Sequence, residues 1–417
     1  MFAWTKIAAR NLLRNSRRSM FTIVAIGLGF AAVNIFGGFT AYIFLSLEDS
    51  HIYAQGNGHL TIFKKGFLNE GKMNPTAYLL SEAEVKAIRE VLRDFPAVRV
   101  VTPQLLISGL LSNGEVSTIF RAVGRVPSDV RAIRNYGKGT IAKIDLFTGK
   151  PLADEVTYGI GLSTGLAKVL KLHLGSDAIA MAPTVNGQIN ALDGEVFQTF
   201  DTALDVLNDM LAIVPIRFAQ SLYDTTSVDR LGVLLSETRE VARVKPTLAR
   251  ALSERGLNVE VRTWNELDPL YTKTKNMFDI IFLFIFVIVL VIVVMSVVNT
   301  MSMAILERTR EIGTLRALGT KQRGIVNLFA LESAMLGALG CLAGMILTLT
   351  GWFIVNVVVK PTWIPPIITK RIPLEVYLVP AYIAYSALFL IILSVAAAIL
   401  PARKAARREI VDALGHV

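Results

Sequence analysis

Four stretches of the chain, 21–45, 278–298, 325–346 and 376–400, are apolar almost without interruption. A helix needs about 20 such residues to cross a hydrocarbon core of about 30 Å, so the pattern predicts four transmembrane helices. The first apolar run outlasts the roughly 7 to 15 residues of a secretion signal's core and is read as a retained anchor. Apolar residues continue past the third stretch through "LTLTGWFIVNVVV", which predicts either a tilted span or a short helix beyond it.

Between the first two spans the period changes. "GHLTIF" and "VRVVTPQLLISGLL" read as strands, and "SEAEVKAIREVLRDF" between them reads as a helix. Ser81 and Glu84 form a capping box there, and Val85, Ile88 and Leu92 share one face. Asn113-Gly114 marks a hairpin turn. Further on, "DRLGVLLSE", "TREVARVKPTLARALSERG" and "LNVEVRTW" repeat the order strand, helix, strand. The less periodic, glycine-richer middle, about 136–226, is taken as an inserted subdomain. The expected fold class is therefore an α+β membrane protein: four transmembrane helices with a large mixed α/β extracytoplasmic domain, 48–276, inserted between the first and second. Residues 1–47 hold the N-terminus and first span, and 277–417 hold the other three spans and the C-terminal tail.

Composition agrees with this division. At 53% hydrophobic and 18% charged over 417 residues, the chain is too apolar for an ordinary soluble enzyme yet long enough for a sizeable polar domain. Its charge is unevenly placed. Lys6, Arg10, Arg14, Arg17 and Arg18 precede the first span; Arg308, Arg310, Arg316, Lys321 and Arg323 follow the second; Arg403, Lys404, Arg407 and Arg408 follow the fourth. Those segments hold fourteen basic residues and four acids (Glu307, Glu311, Glu409, Asp412), an excess equal to the whole net charge of +10. Residues 44–276 carry 26 charges of each sign. The positive-inside rule then puts both termini and the 301–324 loop in the cytoplasm and the large domain outside. No basic patch remains for nucleic acid.

Candidate chemistry is sparse. The four histidines, His51, His59, His173 and His416, are dispersed without metal-ligand spacing and are read as structural or solvated, so no metal is expected. The lone Cys341 lies in an apolar stretch and excludes an intramolecular disulfide. Gly161-Leu162-Ser163-Thr164-Gly165 satisfies the G-x-S-x-G spacing of a nucleophile elbow, but the pattern predicts no buried strand before it. There is no Walker A motif, "GTLRALGTK" having the wrong spacing, so energy must come from another protein.

The 305–319 segment mixes charge and bulk. On a helical wheel Glu307, Arg310, Glu311 and Thr314 share one side, and Arg308, Ile312, Leu315 and Arg316 another, which suits a helix that satisfies two surfaces. Gly319 is expected to end it in the left-handed conformation, with Thr320 capping the next helix. Further along, Ser333, Gly337, Gly340 and Gly344 form a stripe of small residues that lets another helix approach closely.

"ERTREIGTLRALGTKQRGIVNLFALES", continued by "AMLGALGCLAGMILTLTG" and closed by "LPARKAARREIVDAL", closely resembles the FtsX-like permease domain shared by macrolide-exporter (MacB-type) and lipoprotein-releasing (Lol-type) ABC transporters. Glu307, Arg308, Glu311, Ile312, Gly313, Leu315, Arg316, Ala317 and Gly319 fall on the family's E-R-x-x-E-I-G-x-L-R-A-L-G pattern, and Glu332 on its acid at the start of the third span. Ile410 stands where the family often has proline. The resemblance implies a non-enzymatic permease subunit of a bacterial inner membrane, working as a dimer with a second copy or a paralogue. ATP and Mg²⁺ would be bound by a partner ATPase docked on the 305–319 helix. Its closure would be transmitted through the spans to a periplasmic domain that handles lipoprotein, lipid or amphipathic cargo, with an adaptor or chaperone as a further partner. Two alternatives stay open: a division-type signalling permease that activates a cell-wall hydrolase, and a macrolide or peptide efflux permease.

Overall fold

The computed structural model describes residues 10–11, 16–71, 74–202, 205–364 and 370–407. In chain order its main elements begin with helix α1 (Ser16–Glu48) and strand β1 (Leu60–Lys64), then α2 (Glu82–Arg93), β2 (Val98–Ser112), β3 (Ser117–Arg125), α3 (Pro127–Tyr136) and β4 (Phe147–Gly149). Next come β5 (Gly159–Ser163), α4 (Thr164–Val169), β6 (Asp177–Pro183), β7 (Ile189–Phe200), β8 (Leu211–Pro215) and α5 (Ile216–Tyr223). They are followed by β9 (Arg230–Leu235), α6 (Val241–Glu254), β10 (Val259–Thr263), α7 (Pro269–Glu307), α8 (Thr309–Ala317), α9 (Gln322–Phe353) and α10 (Pro380–Arg407). Two compact units result: residues 1–43, 274–361 and 373–417, and residues 44–273 with 362–372.

In the first unit, α1, α7, α9 and α10 are each long and apolar enough to cross a membrane. They outrun the apolar stretches because helices continue into capped, polar ends. α7, for example, begins at Pro269, whose fixed φ and missing N–H suit a first helical turn. Past α9 the chain continues as a short π-helix, Ile354–Val359, and ends at Lys360 in the left-handed conformation. The side chain of Asn356 brackets the backbone of Val376, donating to its carbonyl (2.9 Å) and accepting from its N–H (3.0 Å). The fourth helix therefore starts at Pro380, four residues later than the hydropathy suggests. The bundle core joins Ile26 and Phe30 of α1, Val293 and Val297 of α7, Phe329 and Leu336 of α9, and Leu390 and Ala398 of α10.

The second unit is built on one ten-stranded sheet, ordered β10-β1-β9-β2-β3-β8-β5-β7-β4, with β6 paired to both β2 and β7. At one end the two strand-helix-strand pieces interleave: β1 lies between β10 and β9, β9 lies beside β2, and all three pairings are antiparallel. Taken alone these four strands have the order of a split β-α-β, ferredoxin-like sheet. Helices α2 and α6 cover it with Ile88, Leu92 and Leu248 over Leu60, Ile62 and Leu231. The Ser81–Glu84 capping box opens α2. The loop after β2 turns at Gly114 (φ 94°), where Asn113 accepts from the N–H groups of Glu115 and Val116.

Residues 136–226 do not close on themselves as a separate subdomain. β2, fifteen residues long, runs past β9 to pair with β3 and β6, and its far half supplies Ile107 and Leu111 to a second core. Phe120 and Ala122 of β3, Leu162 of β5, Leu166 of α4 and Phe218 of α5 complete that core.

Candidate functional site

The break between α7 and α8 falls at Arg308 (φ −113°, ψ 18°), so 305–307 belong to the end of the second apolar helix and the short helix is Thr309–Ala317, narrower than 305–319. It ends as a Schellman motif: the N–H of Gly319 (φ 94°) reaches the carbonyl of Arg316 (3.0 Å), and that of Thr320 reaches Leu315 (3.0 Å). Thr320 is thus part of the terminator. The residue at the cap of α9 is Lys321, whose side chain makes no capping bond.

Burial divides the motif residues into two sets. Ile312 and Gly313 are buried and Leu315 and Arg316 half-buried, with Ile312 in the same buried cluster as Ile305, Ile325, Phe329 and Ala405. Arg316 donates to the carbonyl of Ala406 in the last turn of α10 (2.8 Å). Arg308 donates to Glu311 and to Glu332, both at 2.9 Å. The opposite side, with Glu307, Arg310, Glu311, Thr314, Ala317, Leu318 and Gly319, is exposed, and Leu318 is 79% exposed. Glu307 pairs with Arg18 of α1. Arg308, Ile312, Gly313, Leu315 and Arg316 hold the short helix against its own bundle, and only the other side is open to a partner. The wheel separated the two sides, but the position of α10 decides which faces outward.

Glu332 lies in the third turn of α9, and its side chain is only 3% exposed. Its Oε1 accepts from Arg308 (2.9 Å) and from Asn11 (2.5 Å). A buried carboxylate in a membrane helix persists when such donors answer it. Arg308 therefore links α7, α8 and α9 at one point. The basic residues Lys6, Arg14 and Arg408, the acids Glu409 and Asp412, and Ile410 and His416 lie outside the described residues.

The small-residue stripe serves two neighbours. A Cβ placed on Gly340 would meet Ile26 at 2.6 Å, and one on Gly344 would meet Phe30 at 2.7 Å and the carbonyl of Gly27 at 2.8 Å, both in α1. A Cβ on Gly337 instead would meet Ser394 Oγ (3.0 Å) and the backbone of Ile391 (3.2 Å), both in α10. Ser333 is fully buried. Gly27 is the counterpart that sequence reasoning missed, although Gly27 and Ala31 already stand at small-xxx-small spacing in α1. Asn34, also missed, donates to the carbonyl of Phe30 (2.8 Å) and to Ser386 Oγ of α10 (2.9 Å).

Ser163 does end a buried strand, β5, and is followed by α4, so the strand-to-helix context expected to be missing is present. The hydroxyl itself is fully buried, with Oγ 2.5 Å from the carbonyl of Asn208 and 2.8 Å from that of Leu211. That is a structural serine, whose oxygen has no access to a substrate. His59 is likewise structural. Its Nδ1 accepts the N–H of Leu235 (3.1 Å), Nε2 lies 3.1 Å from Thr238 Oγ1, and burial pushes it down to about 4. Among the described residues no three of His, Cys, Asp and Glu cluster as a metal site.

Residues 283–410 match the family model of the FtsX-like permease C-terminal domain. Over 424 residues the chain is 26% identical to the macrolide export ATP-binding/permease protein MacB of Azoarcus sp., covering 98% of this chain and 59% of that protein. Over 271 residues it is 25% identical to the lipoprotein-releasing system transmembrane protein LolC of Neisseria meningitidis serogroup B, covering 63% of each. The chain thus spans about three fifths of the length of these curated relatives. Among solved structures, the periplasmic region of MacB from Actinobacillus actinomycetemcomitans aligns with 51% of this chain and 91% of its own, at 14% identity and a TM-score of 0.36. Over residues 283–410 the chain is thus similar to the FtsX-like permease C-terminal domain, and it is a homologue of ABC transporter permeases of the MacB and LolC kind.

Proposed function

We propose that this chain is the permease subunit of an ABC transporter, itself without catalytic activity, and that it couples ATP hydrolysis by partner ATPase subunits to the movement of lipoprotein, lipid or other amphipathic cargo. The observation that carries the reading is α8, a short helix inside the matched domain with one side locked to its own bundle and the other exposed and charged. A helix held in this way passes a push on its outer side to α7, α9 and α10 instead of absorbing it. In this reading the exposed side faces the cytoplasm with both termini, residues 48–276 lie in the periplasm of a bacterial inner membrane, and two permease chains act as a dimer. The modest LolC similarity, and the lipoprotein cargo in that protein's name, support the lipoprotein-releasing branch.

The test is reconstitution of the chain with its ATPase. Glu311→Arg reverses a charge on the outer side and is expected to cut permease-dependent ATPase activity at least tenfold, with only a small drop in melting temperature from loss of the half-exposed Arg308–Glu311 pair. Arg316→Glu, which also removes the bond to Ala406, should lower melting as well. Normal coupling in Glu311→Arg would remove α8 as the docking element.

A further inference from the structure

The α/β unit contains a cavity of about 680 Å³, within the range of small-molecule sites and far above ordinary packing voids. Its body is apolar, with Val123 of β3, Val130 of α3, Leu152, Phe200 of β7, and Leu211 and Ile213 of β8. Three arginines enter it from one short stretch of chain: Arg125 at the end of β3, and Arg131 and Arg134 on the side of α3 that also bears Pro127 and Val130.

None of the three arginines is held in an ion pair among the described residues. Asp145 and Asp201 also line the cavity, but the first accepts the N–H of Phe147 (3.1 Å) and the second the hydroxyl of Thr164. Among the described residues no carboxylate lies within ion-pair distance of Arg125, Arg131 or Arg134. Arg134 is satisfied otherwise, donating to the carbonyl of Ile144 (2.9 Å) with its guanidinium over the ring of Phe147. Arg125 is not fully satisfied. One of its terminal nitrogens donates to Asn57 (2.9 Å), while its Nε is buried with no partner among the described residues. Burial, and then the charge of Arg230, bring it down to about 10, against the opposing pull of the Asp229 carboxylate, which is itself paired to Arg230. A guanidinium kept beside an apolar cavity with a donor to spare is what recognition of an acidic head on an apolar body requires.

We propose that this cavity binds an anionic amphiphile, a carboxylate-headed acyl chain, with its tail against Val123, Leu152, Phe200 and Ile213 and its head at Arg125. Its role as a cargo site rests on the transporter reading above, but the binding does not.

The experiment uses the full chain in lipid nanodiscs without ATPase and a dodecanoate carrying a photoreactive diazirine on its tail. Cross-linked peptides from residues 123–134, 145–152 and 198–213 are expected, with unlabelled dodecanoate competing at least tenfold better than dodecyltrimethylammonium. Arg125→Gln should weaken competition at least tenfold, Arg125→Lys should largely preserve it, and Ile213→Trp, which fills the cavity, should abolish labelling of these peptides. If Arg125→Gln does not fold, the cationic competitor and Ile213→Trp still decide. Labelling confined to the membrane helices, or equal competition by the ammonium compound, would overturn the proposal. Either result would leave the ATPase-coupling test above untouched.

Discussion

Replacing Gly340 by leucine puts a side chain where two backbones meet. The first atom alone, a Cβ, would lie 2.6 Å from both Cβ and Cγ2 of Ile26, against an ordinary carbon–carbon contact of about 3.5–4.0 Å. The shortfall is about 1 Å, and Ile26 cannot yield it: the residue is fully buried, and a β-branched side chain in a helix has essentially one rotamer. α1 and α9 must therefore part, loosening the contacts of Ile26 and Phe30 with them. Overpacking of a tight site costs about 1–3 kcal/mol, and alanine should fall in that range with leucine at its upper end. Insertion into the bilayer should be unaffected, since leucine partitions into lipid at least as readily as glycine. The assay is reversible unfolding of the full chain in mixed micelles, with cysteine cross-linking between α1 and α9. Leu347→Ala, at a site 40% exposed, serves as the control expected to stay within about 0.5 kcal/mol of the parent. A Gly340→Leu variant that matches that control and still cross-links would refute the close contact.

Glu332→Ala leaves Arg308 partly buried with Glu311 as its remaining acid and should cost about 3 kcal/mol in the same unfolding assay; a loss under about 0.5 kcal/mol would mean the pair is not intact in the membrane. His59 is neutral when folded until about pH 4, while the unfolded side chain takes up a proton near 6.5. Stability should therefore be full above about pH 6.5 and fall by roughly 3 kcal/mol as pH drops toward 4, a slope that His59→Gln should flatten in pH-dependent melting curves. Ser163→Ala should keep whatever transport the parent supports and lose about 1–3 kcal/mol, because two backbone carbonyls lose their donor. Labelling of the parent's Ser163 by a serine-reactive probe would contradict that structural role.

Legibility in the sequence followed the range of each interaction. The Ser81–Glu84 capping box and the Asn113 turn are decided within four residues, and both were readable. Gly319 was readable as a terminator for the same reason, since its positive φ serves only the turn it closes. The buried strand before Ser163 was missed because "GIGL" lacks the run of β-branched residues that announces a strand, and is buried only because β7 and β8 flank it. The outward side of α8 could not be chosen from the wheel, since Arg316 is drawn inward by a carbonyl ninety residues away in α10. Likewise the stripe on α9 displayed its small residues without showing that Gly340 and Gly344 meet α1 while Gly337 meets α10. The cavity at Arg125 left no local signature, because its walls come from segments as far apart as residues 50 and 214.

The interior position of β1, between β10 and β9, also has a consequence for biosynthesis. Both of its neighbours arrive late: Leu60 pairs with Val233 on one side and with Thr263 on the other. A chain made from its N-terminus must therefore carry β1 with two open edges while about 170 further residues are added, which at 5–20 residues per second takes roughly ten to thirty seconds. Non-local pairing of this kind is slow to form and exposed to wrong partners in the interval. Truncations that end before β9 should therefore yield no stable part-domain, and the nascent chain should be most prone to aggregation and to chaperone capture between the synthesis of β1 and the completion of β10.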